Sequence, residues 1–310
     1  MASMHLRTIT VRDRSELADL IYCSLNYWYQ LHGMPQIMKG GPDVATVFYD
    51  VYNALEPGCC VVAEHTKTSR LMGSCFYHPR ERHVALGIMN VHPNYFGMGV
   101  GRALLQYVID YTDRNGYKSL RLTQSALNLD SFSLYNKAGF VPRYAYQDMF
   151  VAVPPGGLKE SLPEFKHVRD ATLDDVPKMA ALEMEVSGVT REQDYRFCIE
   201  NQLGFWHASV YENAQGNIDG FLISSGHMAS CMLGPGVIRT DDQAAALILR
   251  ELNVHKGRSP VFLIPVEREQ LVRRMYDWGA RNCELHFCQV RGEFQPFRGV
   301  NMPTFILETA

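Results

Sequence analysis

Residues 91–105 read Val91-His92-Pro93-Asn94-Tyr95-Phe96-Gly97-Met98-Gly99-Val100-Gly101-Arg102-Ala103-Leu104-Leu105, the most informative stretch of the chain. An apolar run from Ala85 to Val91 stops at a proline, and three glycines at alternate positions then lead into a helical pattern. Glycines so spaced leave backbone N–H groups unobstructed and permit positive φ. A loop of this kind entering a helix N-terminus makes an anion site, because unpaired amides and the helix dipole point at the ligand. A phosphate or pyrophosphate is the expected guest. Two common phosphate loops fail on spacing. A dinucleotide fingerprint, G-x-G-x-x-G, would need glycine at Arg102 or Leu104, and a Walker loop would need Gly-Lys-Ser/Thr.

The chain of 310 residues is long enough for two domains. Hydrophobic residues make up 46% and charged residues 20%, ordinary values for a packed globular chain. The formal charge of −3 comes without a basic stripe, which disfavours nucleic acid as a partner. No apolar stretch approaches the ~20 residues of a membrane helix, and the opening residues have no signal-peptide core, so neither membrane nor export is expected. The eight cysteines have no metal-type pairing and read as free, mostly buried thiols of a cytoplasmic protein.

Pro154-Pro155-Gly156-Gly157, with Pro163 after it, is the strongest linker signal. On either side of it the halves open alike. Arg7–Leu20 aligns without gaps on Arg169–Leu182, each a short strand, a capping Thr or Asp, and apolar residues at helical spacing. The expected organisation is therefore a first domain over 1–153, a linker at 154–163 and a duplicated second domain over 164–310. Strands at 59–65, 70–78 and 82–91, then helices and strands in alternation, imply a mixed α/β class with a predominantly antiparallel sheet flanked by helices. In the second half, helices are expected at 173–187, 242–253 and 268–278, and strands near 206–212, 218–225, 230–238, 260–264, 283–290 and 303–308.

The glycine loop, preceded by Val91-His92-Pro93, has a companion downstream: Asn128-x-x-Ser131-x-x-x-Tyr135-x-x-x-Gly139-Phe140-Val141. Together the two motifs resemble the acyl-CoA-dependent N-acyltransferase superfamily known as GNAT, over most of residues 5–150. In that family the first motif is Arg/Gln-Gly-x-Gly-x-Gly/Ala and the second Asn-x-x-Ala-x-x-x-Tyr-x-x-x-Gly-Phe. Phe96 departs from the pattern, standing where Arg or Gln is usual. Arg102 either replaces that charge or faces solvent.

The resemblance implies acetyl-CoA as co-substrate and no metal. It assigns Phe96, Gly97, Met98, Gly99, Val100, Gly101 and Arg102 to the pyrophosphate loop, and the backbones of Met89 and Val91 to the pantetheine arm. Asn128 and Ser131 would border the same arm, although Asn128 also reads simply as a helix N-cap. Tyr135 is the implied catalytic residue, a phenol that protonates the departing thiolate. Packing in a helix core is its other reading. Glu81, His78, His83, Asn90 and His92 surround the central strand, but none reads as the base.

In the second half Leu233-Gly234-Pro235-Gly236 is the corresponding loop, short of one glycine and of one amide. Met275 falls opposite Tyr135, so this half is expected to be catalytically silent. Tyr195, Phe197, Phe205 and Trp206 read either as core or as the lining of an acceptor pocket. The implied reaction is acetyl transfer to a primary amine of a small molecule or peptide, and a homodimer is compatible with it. A non-catalytic acyl-CoA sensor, in which Phe96 reports weakened cofactor use, is the alternative.

Overall fold

The computed structural model describes residues 4–307. The two aligned segments fold by the same local chemistry. Strand β1 (Met4–Thr8) leads through a short 3-10 turn into helix α1 (Arg14–Leu31), and β7 (Val168–Asp170) leads through another into α5 (Val176–Ser187). Thr10 with Asp13 and Thr172 with Asp175 each form a capping box at the turn. An arginine six residues before each aspartate grips it with two bonds, Arg7–Asp13 at 2.8 Å and Arg169–Asp175 at 2.7 and 2.8 Å. Each arginine also bonds a glutamate of the neighbouring strand, Glu64 or Glu212. The internal repeat thus extends to individual hydrogen bonds.

These contacts carry a pH signature. The Arg169 hydrogen bonds hold the Asp175 carboxyl down at about 2, against the opposing effect of burial. A depressed carboxylate pKa adds stability that is complete above the unfolded value of ~3.9 and is lost as pH falls towards 2. Asp175→Asn is therefore expected to cost about 2 kcal/mol at pH 7 and close to nothing at pH 2. Urea midpoints of the two proteins at both pH values check this, and an equal cost at both removes the ionic explanation.

Two compact units divide the chain. The first gathers residues as far as Pro79, then His83–Leu120 and the segment from Phe305, and the second gathers Arg80–Arg82 and Arg121–Thr304. In the first unit, α2 (Thr46–Leu55) follows α1, and β2 (Cys60–His65), β3 (Leu71–Pro79) and β4 (His83–Val91) add to β1 as an antiparallel sheet in the order β1-β2-β3-β4. Helix α3 (Val100–Arg114) packs on it through Val100 and Leu104. Gly73 permits that approach, since a Cβ there would lie 2.7 Å from the Asn90 carbonyl and 2.9 Å from Val100.

The chain crosses between the units inside β5 (Ser119–Ser125) and continues as α4 (Leu129–Lys137) and β6 (Val141–Phe150). The second unit adds α6 (Glu192–Glu200), β8 (Trp206–Glu212), β9 (Ile218–His227), β10 (Ser230–Ile238), α7 (Asp241–Val254), β11 (Val261–Pro265), α8 (Glu269–Asp277), β12 (Arg281–Gly292) and β13 (Val300–Met302). Its strand order is β7-β8-β9-β10-β11-β6-β12, with β13 on β10; β10 and β11 run parallel, and the other registered pairs are antiparallel. The result is the mixed, mostly antiparallel α/β class that the sequence implies.

The division at Leu120/Arg121 differs from the 153/164 boundary that the proline–glycine run suggests. Strand β6, from the first half of the sequence, lies between β11 and β12 and pairs with both. The run at 154–157 is no loose tether. Gly157 closes a turn on Pro154, and Leu158 is held by the Asn253 side chain through two hydrogen bonds. Two further differences stand in the second half. Helix α6 stands where the sequence pattern marks no element, and the last strand is Val300–Met302, not 303–308, because Pro303 offers no donor and Leu307 takes φ 64°. Residue 308 lies outside the described residues.

The Leu233–Gly236 counterpart of the glycine loop lies inside β10, within the strand expected near 230–238, where it is buried and irregular in its pairing between Leu233 and Gly236. Glycine is used there for contact: a Cβ on Gly234 would lie 2.5 Å from the Pro303 carbonyl, and one on Gly236 2.6 Å from Leu222. All eight cysteines are free, with Cys23 and Cys283 exposed. No helix among the described residues is long and apolar enough to cross a membrane.

Candidate active site

Helix α3 begins at the glycine loop, and the conformation there follows from the sequence. His92 accepts the Asn94 amide and Pro93–Tyr95 form one 3-10 turn. Gly97 and Gly99 then take φ of 73° and 86°, where L side chains are strained. Gly99 is the N-cap of α3 and brings no side chain to satisfy its first turn. Ala103 donates to the Gly99 carbonyl, so the amides of Val100, Gly101 and Arg102 precede the helical ladder. Phe96, Gly97, Met98, Gly99 and Arg102 are exposed, while Val100 points into the core and Gly101 is half-buried. The positive end of a fifteen-residue helix is thereby open to solvent beneath bare amides.

Phe96 is 44% exposed, and its ring packs 6.1 Å from that of Tyr27 on α1. The place where the resemblance leads one to expect Arg or Gln is here an aromatic edge. Arg102 sits on the first turn of α3 and forms no ion pair with a described residue.

Met89 and Val91 are half-buried on β4, paired with Cys75 and Gly73. Just before them β4 carries an extra residue: Gly87 and Ile88 together oppose Phe76, a β-bulge. A Cβ on Gly87 would meet the His78 ring at 2.7 Å, so the bulge requires glycine. A glycine inside an apolar strand was its signal in the sequence. The polar groups around this strand are structurally engaged. His78 faces Glu56 at 2.6 Å, Asn90 donates to Ser24 at 2.8 Å, and His83 is buried, while Glu81 is exposed.

In the second unit, Asn128 is the N-cap of α4, and its side-chain oxygen accepts the Ser131 amide at 3.0 Å. Ser131 Oγ donates to Gln124 Oε1 and to the Asn128 carbonyl, both at 3.1 Å. Gln124 is a supporting residue that the motif reading missed. Tyr135 is 6% exposed, its ring 5.6 Å from Phe140. Each compact unit therefore holds part of the expected set. The loop with Met89 and Val91 lies in the first unit, and Asn128, Ser131 and Tyr135 lie in the second.

The second half closes the equivalent helix end. Thr240 caps α7 and shares a capping box with Gln243, so side chains occupy the amides that the first half leaves bare. Met275 on α8 is fully buried. Of the four aromatics, Tyr195 and Trp206 are buried core and Phe197 and Phe205 are half-buried.

A family model for the acetyltransferase (GNAT) family matches residues 26–140, the span from α1 through the glycine loop to the end of α4. Over these residues the chain is similar to GNAT acetyltransferases. Solved structures share the fold across nearly the whole chain. A candidate acetyltransferase from Pyrococcus horikoshii superposes with a TM-score of 0.74 at 14% identity, covering 99% of this chain and 93% of that one. A GCN5-related N-acetyltransferase from Sphaerobacter thermophilus gives 0.65 at 16%, over 96% and 98%. A tandem GNAT protein from the clavulanic acid biosynthesis pathway gives 0.60 at 14%, over 93% and 98%. The UPF0157 protein YqkA of Bacillus subtilis is 33% identical over 78 residues, 25% of this chain. That match spans about a fifth of the curated relative, 22% of its length.

Proposed function

We propose that the protein is an N-acetyltransferase that moves the acetyl group of acetyl-CoA to a primary amine by direct attack. The observation that carries this reading is the bare N-terminus of α3. A glycine N-cap without a side chain, exposed glycines at positive φ and an open helix end suit a pyrophosphate. The contrast with α7, whose N-terminus is filled by its own Thr240, supports one acyl-CoA site per chain, in the first half.

In this reading the pantetheine arm runs beside β4 and meets the backbones of Met89 and Val91. The amine, once deprotonated, adds to the thioester carbonyl, and the tetrahedral intermediate then expels the thiolate of coenzyme A. Tyr135 donates its phenolic proton to that sulfur, and the proton then lost by the amide nitrogen restores the phenol. An ordinary phenol, with pKa ~10, stays protonated at neutral pH and is available to a leaving thiolate. Replacing Tyr135 by Phe is expected to lower kcat about 100-fold with little change in the KM for acetyl-CoA. Thiol release measured across a panel of small and peptide amines tests both points, and full turnover by the Phe variant removes Tyr135 from the chemistry.

An acyl-CoA-binding protein without turnover is the second reading. The observations on its side are Phe96 at the usual polar position and the burial of Tyr135 against Phe140. Tight binding of acetyl-CoA with no thiol release on any amine decides for it.

A further inference from the structure

We infer that the second unit holds a divalent-cation site built by Asp148 of β6 with Glu284 and His286 of β12. The three side chains each offer one ligand atom, all within 4.8 Å of one another. They meet because of a strand irregularity. Along the β6–β12 ladder Asn282 opposes Met149, but Glu284, not Cys283, opposes Asp148, so Cys283 is an extra residue. Without that bulge Glu284 would oppose Gln147 and project from the other face of the sheet. With it, Glu284 faces Asp148, and His286, two residues on, shares the face.

The burial of Asp148 makes this more than a cluster of acids. Asp148 is 2% exposed, and its Oδ1 is buried without a hydrogen-bond partner among the described residues. Its other oxygen stands 2.8 Å from His286 Nδ1. A buried carboxylate oxygen with no donor calls for a missing cation or water. Two carboxylates held this close repel, and a doubly charged ion neutralises both while leaving the imidazole neutral.

The donor set identifies the class of ion. Two carboxylate oxygens and one imidazole nitrogen suit Zn²⁺ or Mn²⁺, and three protein ligands leave positions for water. Ligand atoms around a tetrahedral ion with bonds of ~2.1 Å stand ~3.4 Å apart, so Asp148 Oδ2 and His286 Nδ1, at 2.8 Å, would move apart slightly to admit it. Glu284 also accepts the Ser125 hydroxyl, and Ser125 in turn accepts the Leu127 amide, one residue before the Asn128 cap of α4. The ion would therefore also order the connection from β5 to α4. The site stands whether or not the chain acetylates amines.

The test uses the full chain after EDTA treatment and dialysis, with Zn²⁺ and Mn²⁺ added separately and binding followed by calorimetry and thermal melting. One ion per chain and a melting temperature raised by several degrees are expected for one of the two ions. In Asp148→Asn and His286→Gln the affinity is expected to fall at least 100-fold, with melting in EDTA close to that of the parent. Glu284→Gln, at a half-exposed position, carries the same comparison if either of the others fails to fold. Co²⁺ substitution should give visible d–d bands without a thiolate charge-transfer band. No binding of either ion, equal affinity in all three variants, or a thiolate band overturns the inference. So does stabilisation by methylammonium with no response to either metal, which would give the cluster to an amine cation.

Discussion

Replacing Gly99 by Glu is expected to abolish measurable acetyl-CoA binding while leaving the protein folded. Two physical effects separate at this position. Gly99 takes φ 86°, where any L residue costs about 1–2 kcal/mol, but an added Cβ meets nothing within 4 Å. Gly99→Ala therefore tests the backbone alone and should weaken acetyl-CoA by less than tenfold. A glutamate adds a carboxylate at the positive end of α3, where it satisfies the bare amides itself and gains about 0.3–1 kcal/mol from the dipole. That gain offsets part of the strain and keeps the helix formed. The pyrophosphate must then displace a tethered anion and approach its charge, a penalty of at least ~3–4 kcal/mol, or several hundredfold in Kd. Calorimetry on the parent and the two variants gives the result. Equal affinity in Gly99→Glu and the parent sinks the assignment of this loop. Equal loss in the Ala and Glu variants traces the effect to backbone strain instead of charge.

The glycine loop was legible because its chemistry is local. Spacing alone separates Gly97-x-Gly99-x-Gly101 from the nucleotide loops, and positive φ at Gly97 and Gly99 is a property of single residues. The duplicated openings were legible for the same reason, since Arg7–Asp13 and Arg169–Asp175 each lie within one turn of chain. What was hidden depends on partners far along the sequence. Nothing in Val141–Phe150 announces that it pairs with β11 and β12, more than a hundred residues later. Gly234-Pro235-Gly236 resembles a loop by composition. Its glycines instead answer to Pro303 and Leu222, which no local pattern names. The Asp148, Glu284 and His286 cluster depends on the one-residue bulge at Cys283. A pattern of alternating faces assigns Glu284 to the wrong side there.

Glu183→Ala should produce the largest loss of stability of any single change considered in the second unit. Glu183 on α5 is fully buried; its Oε1 meets Arg191 through Nε at 2.7 Å and through Nη2, and its Oε2 accepts the Tyr195 hydroxyl of α6. Arg191 is 3% exposed. Burial opposes its charge, and Glu183 beside it restores the balance and holds its pKa above the ordinary arginine value. Burial raises the Tyr195 phenol as well, so the hydroxyl stays protonated and needs an acceptor. Next to it, Asp194 binds Arg80 of the β3–β4 turn, with bonds of 2.6 and 3.1 Å. Truncating Glu183 leaves a buried guanidinium without its counter-charge and a buried hydroxyl without a partner, for a cost of about 3–5 kcal/mol. Glu183→Gln keeps an acceptor for Tyr195 and should fall between parent and Ala. The discriminating measurement is the double variant Glu183→Leu with Arg191→Met. Removing both charges together should recover most of the loss, because the penalty lies in the unpaired ion and not in the missing pair. Urea unfolding of the four proteins orders them, and a double variant no more stable than Glu183→Ala would show that shape, not charge, fixes α6 against α5.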